Sequence, residues 1–340
     1  MRVISNFRAR PSFVLEKIPR GTSSSSASFS VSDNGVLVTS PTFVGGQLTW
    51  FDRTGRQSGT IGNPGLHLSP QVSPDGQTLV DDPVDPETFT PYIWLFPITK
   101  GVPARFTFSP SDHPIWSGDG ARIAYGLLTS GLYTKTVVGL ENEELVLQAA
   151  NIPEQTSGDV FRVPCDWSRD GRFLLYMETG EAARYSLWTL PMFGDRKPGL
   201  LLRSDFNTLC GAFSPDSRWI AYASDDQGRS EIYVQAFEEK AAGAARKFQV
   251  SDHGGTWPKW RRDGKELFFL DADRKMVAVE VRAGATFEKG APRTLDTGII
   301  SPDVRFDVTA DGRRFVIPTA VSNGSTPATV VVNWTKIAPR

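Results

Sequence analysis

The sequence predicts an all-β fold, a closed β-propeller of four-stranded antiparallel blades, with seven blades favoured and six as the alternative. Three observations carry that prediction. A short phrase recurs seven times at near-regular spacing, the residues flanking it alternate with the period of a strand, and helix signals are nearly absent.

The phrase reads as strand, tight turn, strand. Its versions are "VSDNG" (31–35), "VSPDG" (72–76), "WSGDG" (116–120), "WSRDG" (167–171), "FSPDS" (213–217), "WRRDG" (260–264) and "VTADG" (308–312). Pro at the second position of such a turn fixes φ, Asp suits the third, and the glycine that follows accepts positive φ. The anchors Asn34, Asp75, Asp119, Asp170, Asp216, Asp263 and Asp311 are spaced by 41, 44, 51, 46, 47 and 48 residues. Four residues beyond each anchor stands an apolar residue: Val38, Leu79, Ile123, Leu174, Ile220, Leu267 and Phe315. Each anchor aspartate fits its turn for local reasons, so the seven are read as structural turn anchors rather than as a ring of metal ligands.

Each repeat then supplies a third strand, at 46–52, 92–98, 131–137, 185–191, 231–237, 275–281 and 328–334. A fourth follows in six of them, as "SGTIG", "PARFTF", "EELVLQ", "PGLLLR", "ARKFQV" and "PRTLDT". The seventh repeat lacks one. The strand-like segment "SFVLEKI" (12–18) belongs to no repeat, and is expected to complete the last blade as its outer strand and close the ring. One propeller domain is thus expected over 12–335, with tails at 1–11 and 336–340. The Ser-rich stretch 21–28 reads as a flexible loop after the closing strand.

Composition agrees. Hydrophobic residues make up 39% of the 340 and aromatics 11%, enough for a sizeable core, and 31 Gly with 24 Pro suit a chain with many turns. The best helical stretch, 238–248, is short, contains Gly243 and reads as a loop between strands. The net charge of −1, from 37 basic and 38 acidic residues without a basic stripe, gives no support for nucleic-acid binding. No segment has the length of a signal-peptide apolar core or the ~20 apolar residues of a membrane span, which makes the cytoplasm the default expectation for compartment. Two cysteines exclude a disulfide framework; Cys165 and Cys210, on neighbouring inner strands, are read as reduced buried thiols.

The S-P-D-G phrases, with "RIAY" and "RWIAYASD" after them and "EIYV" or "SLWTLP" as third strands, resemble the PD-type repeats of TolB-like, WD-like propellers. More narrowly, "ASFSVSDNGVLV", "QLTWFDRTGR", "LSPQVSPDGQTL", "IWSGDGARIAY", "GGTWPKWRRDGKELFF" and "VVVNW" are similar to the propeller C-terminal to the kinase domain in bacterial receptor-like serine/threonine kinases. That resemblance implies a sensor or protein-interaction role in signalling, and a separate kinase polypeptide as a partner. The chain itself has no Gly-rich phosphate loop, no H-R-D and no D-F-G motif. It also lacks the G-x-S-x-G elbow of propeller-capped peptidases, and its S-x-D-G turns place Gly one position too early for the sialidase box.

The loops from one blade to the next open on the face opposite the Asp turns, and all three histidines fall there. "SDH" occurs at 111–113 and 251–253, and "SD" again at 204–205. The expected binding site is therefore a polar channel mouth built from His67, Asp112, His113, Trp116, Asp205, Asp252, His253 and Trp257. No catalytic residue, metal or cofactor is assigned. The sequence favours a non-catalytic binding or scaffold module for a protein partner or a small polar ligand. The alternative is a propeller hydrolase or lyase acting on a polar substrate at the channel mouth.

Overall fold

The computed structural model describes residues 29–32, 36–39, 46–86, 88–127, 131–139, 143–148, 161–179, 184–202, 206–237, 246–297, 305–320 and 329–332. The chain divides into two compact units, Gly46–Thr319 and a second formed by Met1–Gly45 with Ala320–Arg340.

The larger unit is a propeller of six four-stranded antiparallel sheets, with no helix among the described residues. From inner to outer strand, blade 1 is Gln71–Val72, Thr78–Asp81, Trp94–Pro97 and Ala104–Arg105. Blade 2 is Ser111–Trp116, Arg122–Leu127, Gly131–Thr136 and Glu144–Gln148; blade 3 is Arg162–Trp167, Phe173–Thr179, Tyr185–Pro191 and Gly199–Leu202. Blade 4 is Thr208–Phe213, Trp219–Ser224, Glu231–Ala236 and Lys247–Gln249; blade 5 is Thr256–Trp260, Glu266–Leu270, Met276–Ala283 and Phe287–Leu295. Blade 6 takes its inner strands, Asp307–Val308 and Arg314–Ala320, from the end of the unit and its outer strands, Gly46–Asp52 and Gln57–Gly65, from the beginning.

The repeated phrase folds as it does because its side chains satisfy its own backbone. In five blades a hydroxyl two residues before the anchor (Ser73, Ser117, Ser168, Ser214 or Thr309) donates to the aspartate Oδ1 at 2.5–2.6 Å. The hydroxyl oxygen itself accepts the backbone N–H five residues after its own, at 2.8–3.1 Å. The anchor Oδ1 accepts the N–H two residues on at 3.0–3.2 Å in all six blades. Blade 5 keeps the logic with a different donor: Arg261 replaces the hydroxyl and bonds both oxygens of Asp263 at 2.6 Å. These bonds hold the carboxyls of Asp75, Asp119, Asp216, Asp263 and Asp311 below their ordinary pKa. After the anchor the backbone turns to positive φ, 69–74° at Gly76, Gly120, Gly171, Gly264 and Gly312 and 57° at Ser217.

The core lies between blades. Six clusters of buried apolar side chains each join two neighbours around the ring. The residue four beyond the anchor belongs to one of them in every blade, and Leu79, Ile123, Leu174, Ile220, Leu267 and Phe315 are all 0% exposed. Tryptophans at the ends of inner strands tie blades together as well, Trp116 Nε1 donating to Gln71 O at 3.2 Å and Trp260 Nε1 to Ala212 O at 3.1 Å. Between blades 5 and 6, Arg53 forms a two-pronged pair with the buried Glu266 at 2.6 and 2.9 Å.

Six blades correct the favoured count of seven. The first phrase does not start a blade: Phe29–Val31 and Val36–Thr39 form a hairpin in a separate three-stranded sheet, whose third member is Thr329–Val332. The third strand expected to follow that hairpin, Gly46–Asp52, instead pairs with Arg314–Ala320, and Thr49 Oγ1 meets Thr319 Oγ1 at 2.8 Å. The first and last repeats have in effect exchanged third strands. Both are alternating apolar segments, and the period-two pattern carries no label for its partner, so the repeat count alone overstates the ring by one. Residues 12–18, expected to close the ring, lie outside the described residues, as does Asn34.

Ser217 is the one non-glycine in the left-handed turn position of the six blades. A β-carbon there costs about 1 kcal/mol. Ser217→Gly is therefore expected to raise the urea midpoint, with about 1 kcal/mol gained at unchanged m. A midpoint equal to or below wild type would show that this turn is unstrained.

Candidate functional site

Inner strands run toward the Asp turns, so position along them sets which end of the central channel a side chain occupies. Six residues before the anchors stand Ser69, His113, Pro164, Cys210, Trp257 and Arg305; four before them stand Gln71, Ile115, Asp166, Ala212, Lys259 and Asp307. Between these two columns, blades 2 to 5 carry a register shift. Such a bulge re-aims the side chain beside it, and His113 and Trp257 both take φ 54° there.

At the end away from the turns, charge is buried at close quarters. Asp82 is 0% exposed, and its Oδ2 accepts the backbone N–H of His113 from the next blade at 2.8 Å. Its Oδ1 has no hydrogen-bond donor among the described residues. Burial, then the neighbouring Asp81, pushes the Asp82 carboxyl well above its usual pKa. The imidazole of His113 lies 3.2 Å from Asp112 Oδ1, without hydrogen-bond geometry. Burial and Arg305 lower its pKa, against the pull of Asp112. Arg305 faces Asp82 and Asp112, its guanidinium 4.3 Å from the centre of the Trp257 ring, and burial brings its pKa down to about 10.

Of the expected site residues, then, Asp112, His113 and Trp257 gather at this end. The others do not. His67 is buried inside blade 1, Nδ1 at 2.6 Å from Asp81 Oδ2 and Nε2 accounted for by Asn63 O at 2.9 Å. Burial opposes its charge, but Asp81 overrides this and holds the imidazole pKa above its ordinary value. His253 is exposed and pairs at 3.3 Å with Asp273 on a hairpin of its own blade. The neighbouring Asp252 gives its carbonyl to Arg229 at 2.9 Å. Trp116 sits at the other end of the channel, beside the Asp turns. Asp205 lies outside the described residues. Among the described residues no group of three or more His, Cys, Asp or Glu side chains is placed to hold a metal ion. Cys165 is disulfide-bonded, which corrects the reduced reading.

The turn-side end contains a cavity of about 210 Å³ that residues from all six blades line. Asp166, Lys259 and Asp307 project there from the column four before the anchors. Asp166 Oδ2 accepts the N–H of Phe213 in the next blade at 2.7 Å, and Asp307 Oδ2 accepts that of Val72 across the ring closure at 2.7 Å. Lys259 Nζ stands 3.5 Å from Asp307 Oδ1. Burial lifts the Asp166 carboxyl to about 6 against the opposing pull of Lys259. Valine, tryptophan and phenylalanine from the neighbouring position, Trp116, Trp167, Phe213 and Trp260 among them, supply the apolar wall. The sequence reading missed this end because the Asp turns drew attention to themselves. The available signal was the column, where two aspartates and a lysine stand on inner strands that elsewhere carry Gln, Ile or Ala.

The raised pKa of Asp166 sets a sign for the pH dependence of stability. An aspartate free in the unfolded chain titrates near 3.8, and in the folded protein near 6. The folded state therefore binds the proton more tightly in that window, so this group favours folding at low pH and its contribution falls as pH rises from about 4 to 6. Asp166→Asn is expected to remove this component: the stability of the variant relative to wild type, from urea melts, should rise between pH 4 and pH 7. A constant difference over that range would show that Asp166 titrates normally.

No family model matches the chain, and no curated protein matches it. Solved structures do. A putative TolB from Agrobacterium tumefaciens is 16% identical with a TM-score of 0.60, over 81% of this chain and 98% of that one. An oligogalacturonate lyase from Vibrio parahaemolyticus is 11% identical with a TM-score of 0.51, over 92% and 83% of the two chains. A prolyl endopeptidase is 16% identical with a TM-score of 0.50, over 90% of this chain and 50% of that one. At these identities the likeness is one of fold, and the fold is a six-bladed propeller of the TolB-like kind.

Proposed function

We propose that the chain is a non-catalytic binding module, and that its propeller receives a polar ligand or a segment of a protein partner at the turn-side mouth of the channel. One observation carries this reading. Three carboxylates in the channel are committed to the backbone of the neighbouring blade, Asp166 to Phe213, Asp307 to Val72 and Asp82 to His113. A carboxylate that holds an amide of the scaffold is a tie between blades. The walls and cations around it are left to meet a ligand. The proposed link to a kinase rests on the phrases quoted above, and would make this module the ligand-sensing part of a signalling pair with a separate kinase polypeptide.

A second reading, a hydrolase or lyase on a polar substrate, is favoured by Asp166 itself. Its carboxyl is lifted to about 6 in a cavity beside Lys259 and a second carboxylate, the pattern of a proton-transfer group. Turnover decides between the two. Incubation with oligogalacturonates, chromogenic glycosides and a peptide library is expected to yield no product, while hydrogen exchange slows at 71–73, 166–169 and 259–262 when a ligand from the same panel binds. Product formation lost in Asp166→Asn would contradict the module and establish the enzyme.

A further inference from the structure

We infer that the turn-side mouth is a carboxylate-recognition site, in which Arg169 and Arg262, drawn across the opening from blades 3 and 5, and Lys259 beneath them receive the carboxylate of a ligand whose apolar body lies on the tryptophan wall. The inference rests on the binding-module reading and adds the ligand's chemistry. The residue just before the anchor is Pro74, Gly118, Arg169, Pro215, Arg262 and Ala310 in the six blades. The two arginines therefore stand on alternate blades. Arg169 Nη1 reaches over blade 4 to donate to Arg262 O at 3.2 Å, and Arg262 Nη1 reaches over blade 6 to donate to Pro74 O. All three residues line the same 210 Å³ cavity as Lys259.

This placement is built into the backbone. A β-carbon on Gly118 would stand 2.3 Å from Arg169 O, so the turns of blades 2 and 3 come together only because that position is glycine. Each guanidinium uses Nη1 on a carbonyl, and a guanidinium has five N–H donors. Neither arginine forms an ion pair among the described residues. The two are close enough that Arg262, after burial, lowers the pKa of Arg169. Two like charges held together over a cavity make a site for an anion. Arg169, Arg262 and Lys259 against Asp166 and Asp307 leave one positive charge. A singly charged carboxylate neutralises that charge, and a doubly charged phosphate exceeds it. The planar fork of arginine also matches the two oxygens of a carboxylate. The ligand is a small organic acid or the C-terminal carboxylate of a protein chain, since both present a carboxylate beside an apolar group.

The test uses the whole chain and reads tryptophan fluorescence, because Trp116, Trp167 and Trp260 line the cavity. The probes are 3-phenylpropionate, a pentapeptide ending in phenylalanine with a free or an amidated C terminus, and inorganic phosphate. Saturable binding of a free-carboxylate probe is expected, weakened at least tenfold by amidation and at least tenfold in Arg169→Ala/Arg262→Ala. Both positions are exposed, so the melting temperature of that variant should stay close to wild type. Lys259→Met serves as a second variant, expected to weaken binding in the same direction. A peptide at least tenfold tighter than phenylpropionate assigns the ligand to a chain terminus, and comparable affinities assign it to a small acid. Equal binding of the amidated peptide, undiminished binding by the double variant, preference for phosphate, or no binding of either carboxylate probe would each overturn the inference. Those results leave the binding-module reading intact, which only turnover removes.

Discussion

A carboxylate that accepts a backbone N–H is the interaction on which this ring depends. Within a blade, the anchor aspartate and the hydroxyl before it satisfy the amides of a turn that would otherwise be left open. Between blades, Asp82, Asp166 and Asp307 do the same for the first strand of the next sheet. Each inner strand is paired on one side only, and at two to six residues it offers little ladder of its own. A bond whose acceptor is charged contributes about 1.5–3 kcal/mol, more than a neutral pair, and Asp82, pressed toward its neutral form, contributes less than that. These bonds also set direction: an apolar cluster tolerates sliding, whereas an amide and a carboxylate oxygen 2.7 Å apart fix one register of blade on blade.

Much of this was legible in the sequence, and the limits have physical causes. The turn was readable because every one of its residues acts locally, and the column four beyond the anchor was readable because it is apolar in every copy. Blade 5 shows how far the pattern stretches: "WRRDG" lacks the hydroxyl, yet Arg261 donates to the same carboxylate from the same position. Blade number was not readable, since pairing between Gly46–Asp52 and Arg314–Ala320 depends on which segment reaches an open edge. The histidines misled for a related reason. Sequence places a residue on a face, but the distance from the channel axis depends on the loop, and His253 ends beside Asp273 while His67 ends inside blade 1.

The two ends of the channel differ in chemical character. Away from the turns, Asp82 and Asp112 face Arg305 with His113 beside them, and burial presses Asp82 toward its neutral form. At the turn side, cations prevail around an aromatic wall. A ring of six similar repeats would be symmetric if each column held one residue type. It is the departures from the repeat, Asp166, Arg169, Lys259, Arg262 and Asp307, that give the propeller a front and a back. Repetition builds the scaffold, and the exceptions to it build the site.

Amide hydrogen exchange at Val72, His113 and Phe213 tests the central claim most directly. These are the three N–H groups held by carboxylates of the preceding blade. If those bonds fix blade to blade, the three amides exchange only when the ring opens as a whole, with a free energy equal to that of global unfolding by urea. Exchange at the faster rates of outer-strand amides such as Arg105, while the inner ladders stay protected, would show that the blades are held by their apolar contacts alone and that the carboxylates are free for another role.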